Sequence, residues 1–66
     1  MAYHIFVVED EPDTRELLDF TLWWNGHHVD TARDGREALT LLAEHSYDVI
    51  LLRWSPSRTP LNDFYK

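Results

Sequence analysis

The sequence predicts half of a doubly wound α/β fold: a parallel β-α-β-α-β unit of strand order 2-1-3 with a short C-terminal helix, completed by dimerisation. Three observations predict it. Short runs rich in β-branched and other apolar residues, at 5–8, 29–32 and 49–52, alternate with two segments of helical periodicity. The connections have helix length, which makes the neighbouring strands parallel. Right-handed crossovers then leave two arrangements: order 1-2-3, with both helices on one face, or order 2-1-3, with one on each. The second run carries His28, Asp30 and Thr31 and is the most polar, so it belongs at an edge, and order 2-1-3 fits better.

Ile5, Phe6, Val7 and Val8 read as a strand buried on both faces. Pro12 suits a first helical position, and Asp13 and Glu16 complement the positive end of the helix. Thr14, Leu17, Leu18 and Thr21 recur at helical spacing and form the expected inner stripe, with Asn25 and Gly26 as a stop. Asp34 as N-cap and Glu37 three residues on resemble a capping box, and Ala38, Leu41, Leu42 and His45 make the second inner stripe. Val49, Ile50, Leu51 and Leu52 form a third strand, again apolar on both faces. From Arg53 the period is lost among Ser55, Pro56 and Ser57, so a loop is expected there. Thr59 and Pro60 can start a short helix with Leu61, Phe64 and Tyr65 on one face.

The chain has 66 residues and no cysteine, enough for one marginal domain with no disulfide to reinforce it. The net charge of −6 argues against a nucleic-acid footprint. Residues 1–52 hold eleven acids against three arginines, a balance of −8, whereas residues 53–66 hold three bases against one acid, a balance of +2. That break divides a half domain, 1–52, from a divergent tail, 53–66. The apolar run at residues 5–8 is far too short to span a bilayer and no basic segment precedes it, so the expected location is cytoplasmic.

Glu9 and Asp10 follow the first strand at the carboxyl edge of the sheet, where such folds bind ligands. Adjacent carboxylates there can bind Mg²⁺; by spacing alone they are better explained as solvated loop acids at a helix start. His27 and His28 alternate across a strand and share no ligand spacing with His4 or His45, which reads as ordinary histidines rather than a zinc site.

Val7-Val8-Glu9-Asp10-Glu11-Pro12 followed by Arg15-Glu16-Leu17-Leu18 resembles the opening of response-regulator receiver domains. Ala32-Arg33-Asp34-Gly35-Arg36-Glu37-Ala38-Leu39 resembles their second loop and helix, and Tyr47-Asp48-Val49-Ile50-Leu51-Leu52 their third strand. The three motifs cover residues 4–52, in the flavour of DNA-binding transcriptional regulators. The resemblance implies a five-stranded flavodoxin-like sheet of order 2-1-3-4-5 serving a two-component phosphorelay. It implies Glu9 and Asp10 as an acidic Mg²⁺ pair, Asp10 the more direct ligand, and an aspartate directly after the third strand that accepts phosphate from a histidine kinase. This chain has Arg53 there, Pro56 comes early against the family's proline, and the strand-four hydroxyl and strand-five lysine of the family have no counterpart.

A guanidinium stays protonated and offers no nucleophilic oxygen, so no aspartyl phosphate can form at Arg53. Either Arg53 pairs internally with Glu9 and Asp10, replacing the charge of Mg²⁺ and disfavouring metal binding, or it swings into solvent. No cofactor and no catalysis are then expected. Three functional readings compete: a degenerate or truncated receiver acting by self-association or by contact with another signalling protein; an excised or engineered fragment without activity; and a competent phosphoacceptor, against which Arg53 speaks directly. The expected homodimer interface comprises residues 49–52 on an open strand edge, Trp23 or Trp24, and the tail residues Leu61, Phe64 and Tyr65.

Overall fold

A computed structural model describes residues 1–53. Strand β1 (His4–Glu9), helix α1 (Pro12–Trp24), strand β2 (His28–Ala32), helix α2 (Gly35–Glu44) and strand β3 (Val49–Arg53) follow one another along the chain. The sheet has the order β2-β1-β3, with both pairings parallel. Central β1 is buried from Ile5 to Glu9. One face, with Phe6 and Val8, joins Ala32 and Ala38 in the core, and Leu41 and Tyr47 pack against it. Side chains alternate along a strand, so buried Ile5 and Val7 face the opposite side, which α1 covers.

Each helix has a local reason to start and stop. Glu11 caps α1 by accepting from the Asp13 amide at 3.1 Å, and Pro12 follows at a position that needs no amide donor. At its other end the amide of His27 reaches the Leu22 carbonyl at 3.2 Å and that of Gly26 the Trp23 carbonyl at 2.9 Å. This double closure turns the chain through Gly26 at φ +90°, with open space where a Cβ would be, so glycine is favoured by torsion alone. Asp34 caps α2 by accepting from the Glu37 amide at 2.9 Å. Glu37 reaches back one residue further than a capping box does, accepting from the Arg33 amide at 2.9 Å.

Three expectations need correction. The inner side of α1 is formed by Thr14, Leu18 and Leu22, all half-buried, whereas Leu17 and Thr21 are exposed. Residues four apart form one row along a helix, so the row through Leu18 continues to Leu22 and leaves Leu17 on another side. On α2, Ala38 is buried and Leu41 half-buried, but Leu42 is exposed and His45 is the exposed C-cap. Strand β3 is apolar without being buried: Val49, Ile50 and Leu52 are exposed, because among the described residues β3 has a neighbour on one side only. The strand also extends one residue further than expected, to include Arg53. The expected loop and short helix with Leu61, Phe64 and Tyr65 lie outside the described residues.

Candidate functional site at the carboxyl edge

The register of the sheet builds this site. Glu9 ends β1, Arg53 ends β3, and the two are Cα partners on the last rung of the ladder. Arg53 Nε donates to Glu9 Oε1 at 2.7 Å. The Glu11 amide donates to Glu9 Oε2 at 2.9 Å, so both carboxylate oxygens have a donor. Arg15, one turn into α1, sends Nη1 to the Glu9 backbone carbonyl at 3.0 Å. The Glu9 side chain is 5% exposed, while the Arg53 side chain is 56% exposed and lies on its solvent side. Asp10 is half-buried beside them.

These contacts hold the Glu9 carboxyl below the usual carboxylate range. The Glu11 amide contributes most, the Arg53 guanidinium next, and the cost of burial opposes both. The site is therefore a buried anion closed by a cation. Mg²⁺ takes oxygen ligands in near-octahedral geometry. A pair in which Glu9 is fully engaged by N–H donors and Arg53 stands over it does not fit that ion. Nor does Arg53 offer an oxygen that could become phosphorylated.

Sequence reasoning did not anticipate the Glu11 amide or Arg15 as supports of Glu9. The available signal for the first was Pro12, which fixes the turn in which Glu11 caps α1 while its amide points back at Glu9. Of the expected interface residues, those among the described residues lie in two places. Val49, Ile50 and Leu52 line the outer edge of the sheet, whereas α1, which carries Trp23 and Trp24, packs on β1 and β2. Leu52 also lines an apolar groove with Val8, Ala38 and Leu39.

A second polar cluster occupies the opposite edge of the sheet. Asp30 Oδ2 accepts from the Tyr47 hydroxyl at 2.7 Å and lies 3.3 Å from His4 Nε2. Tyr47 stacks on Phe6 with ring centroids 4.7 Å apart. Burial first, and the Asp30 carboxylate second, push the Tyr47 phenol up to about 12. His27 Nδ1 accepts from the Tyr3 amide at 3.1 Å. Among the described residues no three His, Asp or Glu side chains form a group that could hold a metal, and no helix is long and apolar enough to cross a membrane.

Known proteins resemble the chain over this same region. Residues 5–55 match the family described as response regulator receiver domain. The chain is 44% identical over 52 residues to the response regulator MprA of Mycolicibacterium vanbaalenii, which is 79% of this chain and 22% of that protein. It is 40% identical over 50 residues to the probable transcriptional regulator ycf27 of Cyanidium caldarium, 76% of this chain and 20% of the relative. With the transcriptional regulatory protein TcrA of Mycobacterium tuberculosis it shares 46% over 48 residues, 73% of this chain and 19% of the relative. The matched stretch thus spans about a fifth of the length of these relatives. No solved structure matches the chain significantly.

Proposed function

The chain belongs to the response regulator receiver domain family, and from that premise we propose that it is a degenerate receiver module that accepts no phosphate and works through protein contacts. Receiver domains are signalling domains of two-component systems, and they act by binding other signalling proteins and often by dimerising. In this reading residues 1–52 are the receiver-like half, residues 53–66 a divergent segment, the location is cytoplasmic, and the chain is not an enzyme. The observation that carries it is the Arg53–Glu9 pair: a cation stands on the rung where the family resemblance calls for a phosphate-accepting carboxylate. Arg53 supplies the positive charge that an acidic pocket otherwise draws from a metal, so Glu9 and Asp10 bind Mg²⁺ weakly or not at all.

Self-association is the second half of the reading. Val49, Ile50 and Leu52 are 42%, 53% and 65% exposed along an edge of β3 that carries no partner strand among the described residues. An apolar, unpaired strand edge is a template for pairing. Two copies related by a two-fold axis perpendicular to the sheet would pair β3 antiparallel and make six continuous strands. Sedimentation equilibrium of the 66-residue chain tests this. A dimer mass supports it, and a folded species of 7.9 kDa at high micromolar concentration overturns it. The alternative, a fragment without activity of its own, predicts a monomer with no ligand at any surface.

A further inference from the structure

The placement of α2 leaves an apolar groove on one face of the sheet. The helix rests chiefly on β2. Val8 and Leu52 are Cα partners across β1 and β3, so their side chains share a side of the sheet. It is the side on which Val8 joins Ala38 in the core. Between that rung and α2 lies a groove of about 570 Å³, walled by Val8, Ala38, Leu39 and Leu52. Leu39 and Leu52 are 71% and 65% exposed, so among the described residues their apolar surface has little cover. Concave apolar sites that hold small molecules have volumes of about 300–1,000 Å³, and this groove lies within that range.

The charge on the groove says which molecule fits. Arg36, in the first turn of α2, lines it. Residues 1–53 contain four arginines and no lysine. Arg53 is bonded to the Glu9 carboxylate, Arg15 to the Glu9 carbonyl, and Arg33 lies 3.9 Å from Glu37. Among the described residues, Arg36 is the arginine whose guanidinium meets no acceptor. Asp34 also borders the groove, but its carboxylate is taken up in capping α2, accepting from the Glu37 amide at 2.9 Å. An apolar channel beside an unengaged guanidinium matches a ligand with a hydrocarbon body and an anionic head. A carboxylate fits best. It is planar, so the guanidinium can bond it with two parallel N–H donors. It also carries a single charge, which a chain of net charge −6 repels less than a doubly charged head.

We propose that this groove binds a free single-chain carboxylate, its alkyl chain between Leu39 and the Val8–Leu52 rung and its head on Arg36. Burial of the chain against exposed leucines supplies the attraction, and Arg36 supplies the choice of head group. The same carboxylate packed in a membrane is a poorer occupant, because an anionic surface repels the acidic chain as a whole. Strand pairing runs through the in-plane edge of β3, whereas the groove opens on the face of the sheet. The binding site is also separate from the Arg53–Glu9 pair, so its fate does not depend on the proposed function.

Calorimetric titration of the 66-residue chain with decanoate, kept below the concentration at which it forms micelles, tests the proposal. Decyltrimethylammonium and decanol, with the same alkyl chain, are the controls. Decanoate should bind, and decyltrimethylammonium should bind about tenfold more weakly although the net charge of −6 favours a cation. Arg36→Gln should weaken decanoate by about tenfold and leave decanol unchanged, which a merely structural role of Arg36 would not do. Leu39→Ser should weaken both, and Leu17→Ser, on the exposed side of α1, should weaken neither. The Arg36→Gln comparison decides alone if circular dichroism shows Leu39→Ser unfolded. Absence of decanoate binding, equal affinity for decanoate and decyltrimethylammonium, or decanoate binding indifferent to Arg36→Gln overturns the proposal. So do tighter binding of phosphatidylglycerol vesicles than of decanoate, loss of self-association in Leu39→Ser, and a tenfold gain in decanoate affinity with Phe64→Ser and Tyr65→Ser. These last three would assign the groove to a membrane, to a second copy or to the chain's own tail.

Discussion

Arg53 and Glu9 are joined twice, once as Cα partners on the last rung between β3 and β1 and once through a 2.7 Å bond from Nε to Oε1. The first relationship makes the second durable. Neighbouring strands hold such a pair about 4.8 Å apart across the ladder, so the guanidinium reaches the carboxylate without a long search through rotamers. The pair is a product of the parallel register, and its consequences can be measured.

Removing the cation should expose the acidic pocket to metal. In Arg53→Ala, Glu9 keeps the Glu11 amide as a donor and loses the guanidinium, and a divalent cation can take the vacated side. Mg²⁺ titrations followed by tryptophan fluorescence should show weak or no saturation in the unaltered chain and tighter binding in Arg53→Ala. Equal affinities would show that Arg53 does not govern the pocket.

Acid should unfold the protein partly through Glu9. Its carboxyl titrates below the ordinary 4.5 in the folded state, so the folded state favours the charged form. The stability this contributes is fully present above 4.5 and is lost as the pH falls through the lower folded value. Glu9→Gln should flatten the acid limb of a plot of unfolding free energy against pH. An unchanged acid limb would assign the loss to other carboxylates.

Alkali should act at the opposite edge through Tyr47. Its phenol is pushed from 10.0 to about 12, so the folded state favours the neutral form. The stability it contributes is complete below 10 and is lost as the pH rises from there through about 12. Tyr47→Phe should remove that alkaline loss, at a cost of about 1 kcal/mol at neutral pH for the hydrogen bond to Asp30. Denaturant titrations across the alkaline range read both effects.

Much of the fold was legible because periodicity and turn chemistry agree. The β-α-β-α-β order, the edge position of polar β2, Pro12 at the start of α1 and the Asn25–Gly26 stop all follow from local residue types. The facing of α1 was not legible. Leu17 and Leu18 are adjacent and equally apolar, and only packing against β1 and β2 selects Leu18 and Leu22 for the inside. At the site, the family resemblance set Arg53 near Glu9 and Asp10 and left two outcomes open, an internal pair or a guanidinium in solvent. The register of β1 and β3 selects the pair. The buried position of Glu9 and its second donor were not legible, since both depend on how the turn through Glu11 folds back.

The β3 edge should be essential to the folded assembly. A charge placed there by Ile50→Lys should unfold the chain rather than release a stable monomer, because so small a domain has little buried area in reserve. Sedimentation and circular dichroism on the same sample separate the outcomes. A folded, monomeric Ile50→Lys variant would show that the half-sheet stands without a partner.

The most direct measurement is the intact mass of the 66-residue chain after incubation with acetyl phosphate and Mg²⁺. With Arg53 on the rung opposite Glu9 and no carboxylate in its place, the mass should not change. A stable gain of one phosphoryl group, on Glu9, Asp10 or any other carboxylate of this edge, would contradict the account.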